Sequence, residues 1–264
     1  MNPLLRPTAG PALATVPCAG VPITSCTRED AAEEVVLLAT SRLTAGVDVH
    51  LCNAYTLALA DQHPDFRSLL QRSRLNFPDG KSVVWANRLV HHGQNLPRDR
   101  IYGPDLFLDV LSAGQDTGVR HYLLGSTASV LADLEAELRR RFPAAAIVGT
   151  ESPPFRALTD LESQEQADRI AASGAQVVWV GLGTPKQDWE AAALAQRVPA
   201  VFCAVGAAFD FVAGHKKQAP AWMQQRGLEW TFRLASEPRR LWRRYLFGNA
   251  RFVWSVVKAA RSSS

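Results

Sequence analysis

The chain of 264 residues lacks most of the short signatures that announce a function. Its four cysteines, Cys18, Cys26, Cys52 and Cys203, form no CxxC pair and no zinc spacing, so they read as buried, inert thiols in a reducing compartment. The histidines show no HxxxH or other ligand spacing, and His91-His92 reads as a solvated helix end. There is no Asp-x-Asp, the usual carboxylate pair for holding a metal-bound nucleotide sugar. GxSxG, GxGxxG and the Walker loop are also absent, which argues against a serine hydrolase, a dinucleotide-binding dehydrogenase and a P-loop enzyme. No run approaches the ~18 apolar residues that cross a bilayer. Residues 7–27 carry no charge, but prolines break them and no basic start precedes a compact apolar stretch, so they do not read as a signal peptide.

What is present fits a soluble globular protein, with 47% hydrophobic and 20% charged residues. A chain of this size hides about 70–75% of its unfolded surface and needs no staples. The net charge of +4 is small, but it is unevenly spread. From Arg226 onward nine basic residues face only Glu229 and Glu237, giving +7, whereas the first 225 residues carry −3. A basic end on a near-neutral body points to an anionic partner: a phosphorylated substrate, a membrane surface or nucleic acid. Trp230, Phe232, Trp242, Tyr245, Phe247, Phe252 and Trp254 interleave with those arginines, which suits phosphate and a membrane interface; an ordinary docking helix with a basic face is the bland alternative.

Residues 1–20 read as a flexible leader, 21–225 as one core and 226–264 as a basic aromatic helical appendage. Within the core, apolar strands alternate with helices. Strands are expected at 47–52, 75–77, 120–124, 145–148, 176–180 and 201–205. Helices are expected at 29–45, 55–73, up to Val90, 127–141, 159–172 and after Thr184-Pro185, with Thr184 as cap. This alternation predicts a Rossmann-like α/β fold, a mostly parallel sheet with helices on both faces.

Ligands of such sheets sit outside the carboxyl ends of the strands. Those ends hold Asn53, Asp79-Gly80, Gly125-Ser126, the run Gly181-Leu182-Gly183-Thr184-Pro185-Lys186-Gln187, and Gly206 to Asp210. Glycines let a phosphate approach the backbone, and helix N-termini offer it free N–H groups. Each segment also has a plain reading. The 181–187 run could be an ordinary strand-to-helix turn, Pro78-Asp79-Gly80 is a strong turn signal, and Asp210 could cap a local turn or touch a ligand hydroxyl.

In order, Asn53-Ala54, Asp79-Gly80 with Val83-Val84-Trp85, Gly103-Pro104-Asp105-Leu106, Leu124-Gly125-Ser126, the 181–187 run and Ala208-Phe209-Asp210-Phe211 with Gly214 resemble the WecG/TagA/CpsF glycosyltransferases (glycosyltransferase family 26). Ala219-Pro220 with Trp222-Met223, Gly227-Leu228-Glu229-Trp230 with Arg233, and Glu237-Pro238-Arg239-Arg240 continue the likeness. The resemblance implies an inverting, metal-independent transferase with no cofactor. It would move a hexose (N-acetylmannosamine, its uronate, or glucose) from a UDP-sugar to a polyprenyl-diphosphate-linked sugar. Relatives serve teichoic acid, enterobacterial common antigen and exopolysaccharide synthesis.

By that likeness Asp79 is the base. Asn53, Gly80, Asp105, Gly125, Ser126, Gly181, Gly183, Lys186, Gln187, Gly206, Phe209 and Asp210 surround the substrate, with Gly125 and Lys186 forming a cradle beside Asp79. Arg233, Arg240 and Arg243 meet the lipid diphosphate at an anionic membrane, with the protein peripheral on the cytoplasmic face. A homo-oligomer is compatible with this reading, and nucleic acid is not a partner in it. Many relatives carry Thr where this chain has Leu51. The rival reading is an inactive, nucleotide-sugar-binding scaffold of a polysaccharide assembly complex.

Overall fold

The computed structural model describes residues 13–262. Eight strands occur among them: β1 (Thr15–Cys18), β2 (Val21–Thr24), β3 (Val47–Cys52), β4 (Leu75–Pro78), β5 (Arg120–Gly125), β6 (Ala146–Glu151), β7 (Val177–Gly181) and β8 (Val201–Ala204). The helices are α1 (Arg28–Thr40), α2 (Ala54–Gln62), α3 (Pro64–Arg72), α4 (Lys81–Val90), α5 (Gly103–Gly114), α6 (Ala128–Arg141), α7 (Asp160–Ser173), α8 (Lys186–Ala195), α9 (Ala208–Val212), α10 (Ala221–Gln225), α11 (Glu229–Ser236) and α12 (Pro238–Ser262). β3 to β8 form one parallel sheet in the order β4-β3-β8-β7-β5-β6.

The fold is therefore the Rossmann-like one expected, because its central strands are apolar on both faces. Val49, Leu51, Phe77, Leu123 and Trp179 point to one side, where α1, α5, α6 and α9 cover them. Leu124, Val178, Val180 and Phe202 point to the other, under α7 and α8. A third apolar cluster joins α2, α3, α4 and the β1–β2 hairpin, and Phe252 and Val256 of α12 are buried in it. The long C-terminal helix is thus packed onto the core.

Several boundaries differ from the sequence reading. Thr15–Cys18, assigned to the leader, pair with β2 instead, because Val16 and Cys18 find a buried face; residues 1–12 of that leader lie outside the described residues. The helix expected over 55–73 is two, since Pro64 cannot donate to the preceding turn and starts α3. The helix expected over 29–45 stops at Thr40. Thr184 does not cap α8. The flanking Pro185 takes that position, across a cis Thr184–Pro185 bond, and the Thr184 hydroxyl accepts from the Gln187 side chain at 3.4 Å. The four thiols are buried and free, and burial pushes Cys18 and Cys26 up to about 12, as inert thiols require.

One charged cluster ties α8 to β3. The fully buried His50 lies 3.0 Å from Asp188 through Nδ1 and 2.9 Å from Asp48 through Nε2. Burial opposes a charge on this ring, but the two carboxylates outweigh it and hold its pKa up to about 9. A folded pKa above the ordinary 6.5 means that the stabilisation is complete below about 6.5 and is lost as pH rises through about 9. His50→Leu leaves Asp188 buried without a partner and is expected to cost about 3 kcal/mol. Melting curves from pH 6 to 10 should show the parent losing stability between about 6.5 and 9 and levelling off above, and the variant already low and flat through that range.

Candidate active site

Asp79 follows β4 and is held from three sides. Its backbone N–H donates to the Cys52 carbonyl at 3.0 Å, the Gly103 N–H donates to its Oδ1 at 3.2 Å, and the Asn53 amide donates to its Oδ2 at 3.3 Å. Asn53 is the N-cap of α2, where its Oδ1 accepts from the backbone of Tyr55 and Thr56 at 3.0 and 3.2 Å. That cap fixes which end of the amide faces Asp79. Leu51, where many relatives carry Thr, is buried, and its Cδ1 lies 3.1 Å from where a Cβ on Gly103 would be. Gly103 therefore has no room for a side chain as it brings its N–H to the carboxylate.

Asp79 opens into a cavity of about 460 Å³ between β3, β4, α2 and α4 of the core and α11 and α12 of the appendage. Its lining is mixed: polar Asn53, Gly80, Lys81, Arg100, Arg233 and Arg244, and apolar Trp85, Leu89, Phe252, Val253, Val256 and Val257. Arg244 sits 4.2 Å over the Tyr55 ring and Arg233 5.5 Å over the Phe211 ring. Arg244 has no carboxylate partner among the described residues and its Nε has no hydrogen bond; burial lowers its pKa. Burial also pushes the Asp79 carboxyl above its ordinary value, while Arg100 pulls it down and Glu229 pushes it up.

The structure separates the sequence-predicted residues into groups. Asn53, Asp79, Gly80 and Arg233 line the cavity together. Gly125, Ser126, Gly181, Gly183, Lys186, Gln187, Gly206, Phe209 and Asp210 do not. They lie along the same edge of the sheet, on or after β5, β7 and β8. From the spacing of neighbouring strands, the ends of β7 and β5 stand roughly 14 and 19 Å from that of β4. The cradle expected beside Asp79 is therefore a separate stretch of the edge.

Within that stretch several residues have packing roles. A Cβ on Gly125 would meet the Gly181 carbonyl oxygen at 2.5 Å, and one on Gly181 would meet the Phe209 ring at 2.8 Å. Phe209 is fully buried against Phe107, so it supports the edge from below and is not exposed to a ligand. Gln187 is buried and accepts from the Gly183 N–H at 2.9 Å, which fixes the turn. Ser126 and Gly183 have positive φ, and Gly183 has open space above it. Lys186 reaches the Arg156 carbonyl at 3.4 Å, and Asp210 is 3.6 Å from Lys216.

Asp105 lies elsewhere, paired with Arg28 at 3.2 Å beside a second hollow that shares Lys81 and Arg100 with the first. Arg243 is exposed, 5.2 Å from the Trp242 ring, and does not line the cavity. One residue further on, about 100° around the helix, it is Arg244 that faces inward. The Arg240 side chain lies outside the described residues.

Sequence reasoning gave no role to Arg100, Tyr102, Glu229 or Tyr55. Glu229 is buried, 2.6 Å from Arg100, and accepts from the Tyr102 hydroxyl at 3.2 Å. A pair 129 residues apart leaves no local pattern. Arg100 could have been suspected only from its place just before the Gly103-Pro104-Asp105 motif. Among the described residues no three His, Cys, Asp or Glu side chains gather as metal ligands, and no helix is long and apolar enough to cross a membrane. A family model described as glycosyl transferase WecG/TagA/CpsF matches residues 16–264.

Proposed function

The chain belongs to the WecG/TagA/CpsF family of glycosyltransferases, and on that premise we propose that it is an inverting hexosyltransferase with a lipid-linked acceptor. It moves a sugar from UDP to a polyprenyl-diphosphate-linked sugar at the membrane face in cell-surface polysaccharide synthesis. The observation that supports this most is the mixed lining of one cavity, which joins Asp79 and several cations to apolar side chains of α4 and α12. Its chemistry suits an acceptor with an anionic head and a greasy tail. Trp222, Trp242, Leu246, Phe247, Val253 and Trp254 are exposed on or near the same appendage, which suits a peripheral membrane contact.

In the reaction, Asp79 takes the proton of the acceptor hydroxyl as that oxygen bonds to the anomeric carbon. The bond from that carbon to the phosphate oxygen breaks, and UDP leaves with the electron pair. The raised proton affinity of Asp79 makes it a better base than an exposed aspartate. The diphosphate leaves from the carbon under attack, so it lies beside Asp79, where the first turn of α4, which has no side-chain cap, offers it backbone N–H groups. Ribose and base, on the far side of the phosphates from the pyranose, extend from there towards the small-residue ends of β8 and β7 along the same sheet edge.

The test is incubation with a panel of UDP-sugars and a short-chain prenyl-diphosphate sugar, with mass spectrometry of the lipid. A mass gain of one hexosyl residue is expected for one donor. Protection of the fold by UDP with no lipid product from any donor would favour the inactive scaffold instead.

A further inference from the structure

The short segment 100–103 touches both the appendage and the proposed base. Arg100 and Tyr102 reach forward to Glu229 at the start of α11, at 2.6 and 3.2 Å. Arg100 also donates to Gln224 of α10 at 3.1 Å. From the same segment the Gly103 N–H donates to Asp79 at 3.2 Å, and Arg100 approaches the Asp79 carbonyl at 3.5 Å. Glu229 is therefore the one acidic side chain that the appendage sends into the cavity wall among the described residues, and it meets the core where Asp79 is held.

We propose that Glu229 is a positioning residue that couples seating of the appendage to the readiness of Asp79. It rests on the reading of Asp79 as the base. When α11 is seated, the Glu229 carboxylate engages the Arg100 guanidinium, and Tyr102 holds the segment so that Gly103 keeps its bond to Asp79. When α11 lifts, Arg100 has no carboxylate but Asp79 within the cavity, and the two charges pair. A carboxylate paired in that way has a lower pKa and accepts a proton poorly.

The groups around Asp79 are few enough to read the coupling from a pH profile. From β3 and α2 it faces the buried Cys52 thiol and Tyr55; from α4, Lys81, which is bound to Asp99. From the segment itself come Arg100 and Tyr102, and from α11 and α12 Glu229, Arg233, Arg244 and Tyr245. From α5, Asp105 faces the same Arg100 and Glu229, its carboxyl raised by burial and pulled down by Arg28. Cys52, Tyr102 and Tyr245 are neutral across the acid limb and the arginines keep their charge there, so that limb reports the balance among Asp79, Glu229, Asp105 and Arg100.

Glu229→Gln keeps the shape and removes the charge. Opposite charges move a carboxylate by 1–3 units, so the acid limb of kcat/KM is expected about one pH unit lower. Turnover near neutral pH should fall about 10-fold with the KM for UDP-sugar within about 2-fold. Glu229→Asp, which restores the charge, should return the limb towards its parent position. A limb unmoved in folded Glu229→Gln overturns the coupling even if turnover drops, since a merely structural role would not move it. Should Glu229→Gln fail to fold, Tyr102→Phe carries the test: kcat is expected to fall at unchanged KM, and parent kcat overturns the proposal. Full activity in Asp79→Asn would instead remove the base itself, so the two failures are told apart.

Discussion

Asp79→Asn is expected to fold like the parent and to lose sugar transfer by about 10²–10⁴-fold. The amide has the shape of the carboxylate, and its oxygen can still accept from the Gly103 N–H. It cannot take a proton from an incoming hydroxyl. On the other side its NH₂ would face the Asn53 NH₂, because capping of α2 fixes that amide's orientation, so one bond of 3.3 Å is lost. Stability should not suffer. A carboxyl whose folded pKa is raised costs stability at neutral pH, and that cost fades as pH falls through the raised value. The neutral variant removes it. The melting temperature at pH 7 should therefore equal or exceed that of the parent while product formation collapses. Turnover within about 3-fold of the parent would end the assignment of Asp79.

Replacing Arg233 and Arg244 by alanine together is expected to lower kcat/KM for the prenyl-diphosphate acceptor by about 10²-fold or more. Each charge-assisted hydrogen bond to a phosphate contributes roughly 1.5–3 kcal/mol, and both guanidinium groups line the cavity. Neither needs a new conformation to do so, because aromatic rings already stack against them. UDP binding, measured by calorimetry, should fall less, since the first turn of α4 faces its diphosphate and the nucleoside extends along another stretch of the sheet edge. Arg244→Ala alone should also raise the melting temperature slightly, as it removes a buried cation that has no carboxylate. Acceptor kinetics unchanged in the double variant would show that these arginines serve another purpose.

The fold was readable because it follows local rules. Val177–Gly181 and Val201–Ala204 are apolar runs that end in small residues, and their place in a parallel sheet can be inferred without knowing the strand order. Where a local rule was broken, the reading slipped. β1 looked like part of a leader because a strand of four residues with a proline carries little pattern.

The site was readable in part. Asp79 and Asn53 were found because each follows a strand, but their neighbours Arg100, Glu229 and Arg244 come from distant stretches that only the fold brings together. Choosing Arg243 over Arg244 needed the rotation of α12 about its own axis, which a helix with aromatic residues on nearly every side does not disclose. Phe209 and Gln187 show the converse: motif residues at a strand end can serve packing, and only burial tells them from residues that meet solvent.

The far wall of the cavity comes from residues well over a hundred positions downstream of the carboxylate. On the ribosome, the nascent chain can pair its strands and settle its parallel sheet long before α12 has been translated. Until then Asp79 stands on an open ledge, with no aromatic or cationic wall opposite. A polypeptide released early by a stop codon or a protease would lack that wall, so unfinished copies would be silent without any inhibitor.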